Sequence, residues 1–101
     1  MADVNRAFVV EKLNNENYTT WRIEVEMVLR RDDLWKYVVM KKVPNDETSR
    51  TGDSKALATI FLACDRSQFP LIRACKTPEQ AWETLWKHYN TYTGVSYVSL
   101  I

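Results

Sequence analysis

Two cysteines and one histidine are the side chains here with the widest chemistry: Cys64, Cys75 and His88. Zinc sites take three or four such ligands at characteristic spacings, and the cysteine separation matches none of them. Cys–His catalysis would need His88 to activate Cys75, but no oxyanion donor or orienting acid accompanies the pair. We interpret both thiols as structural, with Cys64 in the core, and expect no metal or cofactor.

Other catalytic patterns are also missing from the sequence. Asp32 and Asp33 are adjacent, so they cannot share a helix face as a paired-carboxylate site, and helix capping explains them better. Gly52 and Gly94 are the only glycines, which excludes a glycine-rich phosphate loop. We therefore expect neither enzyme activity nor a small-molecule substrate.

A basic run with interleaved aromatics suits phosphate contacts combined with base stacking. The candidate RNA contacts are Arg30, Arg31, Lys36, Lys41 and Lys42, with Trp35 and Tyr37 between them. However, 14 basic residues face 13 acidic ones, and the net charge of +1 supplies no field that would draw in a polyanion. We favour a solvated helix end here and expect at most weak RNA binding by this segment alone.

Bulk composition predicts one all-α domain over residues 1–101, with four to five short helices and an extended N-terminal segment. The hydrophobic share of 46% indicates an ordered chain, and 2 Gly with 3 Pro leave little material for hairpin turns. No apolar run approaches the roughly 20 residues that span a bilayer, so no membrane partner is expected. Because the cysteines are few and the first residues are polar, we expect an intracellular, cytoplasmic location.

Hydrophobic periodicity places the first helices. An extended stretch over 7–13 precedes a helix whose buried stripe begins at Trp21, after asparagines suited to capping or to a left-handed backbone. Asp32 and Asp33 are expected to cap a second helix over 34–39. Residues 40–53 show no period and predict an exposed loop, with Asp53 or Ser54 capping the next helix.

The remaining helices have clearer boundaries. A short helix is predicted within 67–75, with Pro70 in its first turn. The last helix has a capping threonine, Thr77, then proline and glutamate, and then Gln80 three positions after the cap. Its stripe ends at Tyr89, and Lys87 with His88 suits the negative end of the helix dipole.

Two stretches resemble the Gag polypeptide of copia-type LTR retrotransposons. Residues 9–22 read V-V-E-K-L-N-N-E-N-Y-T-T-W-R, similar to the family pattern F-x-x-K-L-N-G-x-N-Y-x-x-W-(K/R), with Asn15 in place of the usual Gly. Asn is the next best residue for positive φ. Residues 75–89 are similar to the family's C-K-T-A-x-E-A-W-x-x-L-x-x-x-Y stretch. The residues matching these motifs are expected fold anchors: Leu13, Asn17, Tyr18, Trp21, Thr77, Ala81, Trp82, Leu85 and Tyr89.

The resemblance covers about 8–90 and implies the N-terminal part of a Gag capsid. Residues 91–101 form a divergent tail that looks truncated or rewritten, and the CCHC zinc knuckle of many Gag proteins is absent. The apolar end of this tail could pair with another chain or pack down on its own domain.

The function that the resemblance implies is noncovalent self-association into a homo-oligomer, which in the family builds a virus-like particle around RNA. The source would be a retrotransposon or a domesticated host gene. One alternative is a domesticated adaptor that binds other Gag chains and regulates their assembly; another is an RNA-binding module. Four tryptophans exceed what so small a core needs, so Trp35 and Trp86 are the candidates for an association surface.

Overall fold

The computed structural model describes residues 10–39 and 47–93, and the all-α prediction is confirmed. An extended segment, 10–14, and a turn at Asn15 and Glu16 precede the helices. The helices are α1 (Tyr18–Arg31), α2 (Trp35–Val39), α3 (Glu47–Leu62), a 3-10 helix (Arg66–Gln68), α4 (Phe69–Ile72) and α5 (Pro78–Thr93). Within the described residues none of these helices is long and apolar enough to cross a membrane.

Helix α1 buries the stripe that its periodicity predicted. Trp21, Val25 and Leu29 are each at most 1% exposed. On another side, Arg30 pairs with Glu26 at 2.7 Å, the i,i+4 spacing that a charged helix side favours. Asn17 occupies the N-cap position, but its side chain makes no capping bond.

Two expectations are corrected by the structure at the end of α1: the left-handed backbone at Asn15, and the capping of the second helix by Asp32 and Asp33. Asp33 has φ 63°, the only positive φ among the described non-glycine residues, so Asn15 does not take a left-handed backbone. The Leu34 N–H donates to the Leu29 carbonyl, and the Asp33 N–H to the Arg30 carbonyl. These two bonds form a Schellman motif. Asp32 and Asp33 therefore end the first helix, because the chain must turn at once to bury Leu34.

Helix α3 begins at Glu47, so the predicted loop over 40–53 is wrong in its second half; residues 40–46 lie outside the described part of the chain. Asp53 and Ser54 are inside the helix and do not cap it. Over residues 49–56, where the structure describes side-chain burial, the buried positions of the helix are Gly52 and Ala56. Because these small residues contribute almost no hydrophobic signal, the sequence pattern missed this half of the helix.

The later helices follow their predicted signals. Pro70 lies in the first turn of α4, and the Gln80 N–H donates to Thr77 Oγ1 at the start of α5. The Gln80 side chain caps the Lys76 N–H at 2.8 Å, one residue earlier than a standard capping box. Helix α5 continues to Thr93, so Lys87 and His88 do not lie in its last turn, contrary to expectation.

One hydrophobic core joins all of these segments. Its buried members include Leu13 from the extended segment, Trp21 and Leu29 from α1, Ile60 from α3, and Leu85 from α5. Leu13 also forms an isolated parallel bridge with Cys64, just after α3. The extended segment is therefore held by backbone hydrogen bonds as well as by side-chain burial.

Candidate association surface

The two family-like motifs pack directly against each other. Tyr18 stacks on Tyr89 with ring centroids 4.9 Å apart, and Trp21 stacks on Trp82 at 5.7 Å. Each pair joins α1 to α5. Of the other motif positions, Leu13, Ala81 and Leu85 are fully buried. The structure thus places the aromatic and aliphatic anchors in one internal cluster, and little of that cluster is available to a partner.

A single carbonyl group ties the first motif to the end of α3. The Trp21 indole N–H donates to the Ala63 carbonyl at 2.8 Å, and the Leu13 N–H donates to the same oxygen at 2.9 Å. A carbonyl has two lone pairs, so both bonds can form together. This arrangement fixes the orientation of the indole and satisfies its only polar atom within the core.

Polar motif residues hold the turn before α1. Asn17 Oδ1 accepts the Asn14 N–H at 2.8 Å, and Asn17 Nδ2 donates to the Lys12 carbonyl at 3.0 Å. The Tyr89 hydroxyl donates to Gln68 Oε1, and Gln68 is itself 2% exposed. These contacts give Asn17 and Tyr89 structural roles.

The two cysteines and the histidine have different surroundings. Burial raises the pKa of the Cys64 thiol to about 12, so it stays protonated at neutral pH. Cys75 Sγ lies 3.6 Å from Thr84 Oγ1, whereas the His88 ring packs edge-on against Tyr89. Among the described residues, no group of three His, Cys, Asp or Glu side chains could hold a metal ion.

The predicted RNA contacts are partly neutralised. Arg30 pairs with Glu26, and Arg31 contacts Asp32 at 3.0 Å, which raises the pKa of Arg31. Lys36 lies over the Tyr37 ring at 5.4 Å. Lys41 and Lys42 lie outside the described residues. Of the three described members of this run, Arg30 and Arg31 therefore each have an acidic partner.

A cleft of about 450 Å³ lies where α2 meets α3. Its charged lining mixes Asp32 and Asp33 with Lys36 and Lys55. Because both signs are present, the cleft has no strong preference for an anion or a cation.

The two tryptophans proposed for association differ in their surroundings. Trp35 is half-buried, and its ring packs edge-on against Trp82 with centroids 5.4 Å apart. The Arg30 guanidinium lies 5.4 Å from the centroid of the Trp35 ring. Trp86 is 38% exposed on α5. Of the two, Trp86 offers more indole surface to a partner.

Sequence reasoning missed other exposed apolar side chains. Ile23 and Met27 on α1 are 51% and 52% exposed, Leu62 on α3 is 63% exposed, and Val39 on α2 is 55% exposed. Ile23 and Met27 were detectable, because they are apolar residues four positions apart on the side of α1 opposite its buried stripe.

In the comparison with protein families, residues 25–101, well over half of the chain, match the gag-polypeptide of LTR copia-type. The matched region begins after the first motif. It includes the tail, residues 91–101, which neither motif covers. No curated protein and no solved structure gave a significant match.

Proposed function

The chain belongs to the gag-polypeptide family of copia-type LTR elements, and on this premise we propose that it is a structural domain that associates with further copies of itself. Its work is then noncovalent assembly. The observation that carries the proposal is the exposed indole of Trp86 on α5, which also contributes Leu85 and Tyr89 to the core. The backbone that carries Trp86 is therefore anchored to the core before any partner binds.

Trp86 has the properties of an interface anchor. Tryptophan is enriched among the residues that dominate binding energy, because it buries a large area while losing few rotamers. Its neighbour one turn earlier, Trp82, is packed against Trp21 and Trp35, so the backbone beneath Trp86 is rigid. Rigidity lowers the ordering cost of association.

Sedimentation or light scattering across a concentration series tests the proposal. We expect the average mass to rise reversibly with concentration in the absence of RNA. Trp86→Ala should weaken this association by about tenfold or more while the circular dichroism and melting temperature stay near those of the wild type. Leu62→Ala is the matched control, since it removes an exposed apolar side chain from a different helix.

Three results would overturn the proposal. A strict monomer at millimolar concentration would remove self-association, and would leave an adaptor for a different Gag chain as the better function. Mass growth only with RNA, with a steep salt dependence, would favour the RNA-binding alternative. Equal association by the Trp86→Ala variant and the wild type would remove Trp86 from the interface.

A further inference from the structure

The cleft of about 450 Å³ between α2 and α3 has a lining that suits a flat, dipolar group. The half-buried Tyr37 ring, which lies directly over Gly52, supplies an aromatic wall. The Asp33 carboxylate and the Lys55 ammonium supply one charge of each sign. Within the described part of the chain, neither of these two groups forms an ion pair or a hydrogen bond. The cleft therefore offers an acceptor and a cation without partners, beside an aromatic surface.

Trp86 on α5 presents a group that matches this lining. An indole is a flat apolar ring system with one N–H, which can only donate. Among the tryptophan, tyrosine and phenylalanine residues whose burial the structure describes, Trp86 is the most exposed, at 38%. Its N–H donates to no described residue. The cleft is lined by residues between Asp32 and Lys55 and by none from α5, so Trp86 does not occupy it in its own chain.

We propose that the Trp86 indole of one copy inserts into the α2–α3 cleft of a second copy. The indole then packs against the Tyr37 ring, with the Lys55 ammonium near its face, an arrangement that favours a cation. Its N–H donates to the Asp33 carboxylate, which makes a charge-assisted hydrogen bond. A neutral but dipolar occupant accounts for a lining that contains both signs of charge and selects neither ion.

The charges beside Trp86 are also complementary to those of the cleft. Glu83 lies one helical turn before Trp86, and its carboxylate is 3.8 Å from the ammonium of Lys87. Both side chains are more than half exposed, so this pair contributes little to stability and can be exchanged for other partners at small cost. Insertion that sets Glu83 toward Lys55 pairs an acidic group of one copy with a basic group of the next.

This inference rests on the proposed self-association through Trp86 and names the surface that receives it. The indole and the cleft are different patches of one chain, so the contact is heterologous. Each copy can donate its Trp86 to one neighbour and accept that of another. Such a contact does not close at a dimer and generates rings or open filaments, according to the rotation between successive copies.

A complementation experiment with two variants tests the insertion. Trp86→Ala removes the indole and keeps the cleft, whereas Thr51→Trp fills the cleft from α3 and keeps Trp86. At a concentration where the wild type forms oligomers, each variant alone should associate at least about tenfold more weakly. An equimolar mixture should instead form a heterodimer that grows no further, because it contains one intact indole and one intact cleft. Sedimentation of the mixture measures this directly.

Two results would overturn the insertion and leave the proposed function standing, provided that the wild type associates. One is a mixture of folded variants that forms no heterodimer; the other is wild-type association by Thr51→Trp alone. A monomeric wild type would overturn the proposed function as well.

Two further variants keep the test decisive. Lys55→Glu keeps a good helix former and puts a carboxylate where Glu83 approaches, so it should replace Thr51→Trp in the mixture if that variant does not fold. Its failure to form the heterodimer with Trp86→Ala would also overturn the insertion. Ser54→Trp is the matched control, since it adds the same side chain to an exposed position of α3 outside the cleft lining, and it should associate like the wild type.

Discussion

At the scale of single residues, the bond from Trp21 to the Ala63 carbonyl shows what a family-like motif position contributes to the fold. Trp21 fills the core and donates its indole proton to that oxygen, so the residue is specified by both shape and polarity. Phenylalanine would fill only part of the space and would lose the donor. Tyr18 lies tilted against the Trp21 ring and Trp82 stacks on it, which makes the aromatic motif positions mutually dependent.

The two thiols should differ in reactivity and in their effect on stability. At pH 8 we expect a thiol reagent to modify half-exposed Cys75 in the native protein, and Cys64 only on unfolding, because its pKa is raised to about 12 by burial. Thiol counting in native buffer and in urea measures this. Cys75→Ser should abolish the fast phase.

The same raised pKa has a consequence for alkaline stability. The unfolded Cys64 thiol ionises near its ordinary pKa of 9.0, whereas the folded thiol keeps its proton to about 12. Its contribution to the unfolding free energy is therefore complete below pH 9 and is lost as pH rises from about 9 to 12. Cys64→Ala should flatten that part of the pH profile; an unchanged slope would contradict the assignment.

At the scale of helices, the junctions around α2 determine the path of the chain. The Schellman motif at Asp33 turns the chain from α1 into α2, and the absence of a side chain at Gly52 lets α2 approach α3 closely. The first junction depends on backbone geometry and the second on residue size. Each leads to a prediction that can be measured.

Asp33→Gly should raise the free energy of unfolding by about 0.5 kcal/mol or more, because glycine takes a left-handed backbone without the clash of a β-carbon. Asp33→Ala should lower it, since alanine keeps the β-carbon and lacks the local hydrogen bonding of aspartate. Urea denaturation of the three proteins gives the order. Equal stability of the Gly and Ala variants would argue against a Schellman turn.

Gly52→Ala should destabilise the domain by about 1–3 kcal/mol, because the added β-carbon would overlap the Tyr37 ring. In a Tyr37→Ser background the same change should become neutral or stabilising, since alanine is favoured over glycine inside a helix by about 1 kcal/mol. The coupling energy from this double-mutant cycle is the measurement. Additive effects would show that the two residues do not meet.

At the scale of the whole molecule, Tyr89 links three distant segments. Its ring stacks on Tyr18 of α1, and its hydroxyl donates to Gln68 in the 3-10 helix. The same hydroxyl lies 3.4 Å from the Asn14 carbonyl in the extended segment. Removing this hydroxyl tests how far the fold acts as one unit.

Tyr89→Phe should lower the unfolding free energy by about 1–3 kcal/mol, because it leaves the Gln68 side-chain carbonyl buried without its donor. Hydrogen exchange of the Leu13 amide, which is bonded to Ala63, should accelerate at the same time. Tyr37→Phe is the control for loss of a hydroxyl and should change stability by less than about 0.5 kcal/mol. Unchanged exchange in Tyr89→Phe would show that the extended segment is held independently.

Sequence reasoning predicted a helix boundary correctly where nearby residues in the sequence mark it. The start of α5 was predictable because Thr77, Pro78 and Gln80 each satisfy a local requirement of a helix end. The first half of α3 was not, because the buried residues described there are Gly52 and Ala56, which are too small to produce a hydrophobic period. The turn at Asp33 depends on where Leu34 is buried, which is a property of the tertiary structure.

The candidate surface was predictable in part. An excess of tryptophan pointed to Trp86, but the pattern could not rank it above Trp35, whose partners come from α1 and α5. Sequence reasoning overlooked Ile23 and Met27 because it considered only the buried stripe of α1, and these two residues lie on the opposite side of the helix.

The contacts of the extended segment set an order for folding during synthesis. Leu13 and Trp21 both bond to Ala63, Trp21 being 42 residues earlier in the chain, and Tyr89 reaches back 75 residues to Asn14. While the ribosome is still translating the middle of the domain, the first motif has emerged without any of these partners. Tyr18 and Trp21 therefore stay exposed to solvent until α5 has left the exit tunnel. During that interval, chaperones or neighbouring nascent chains have access to them.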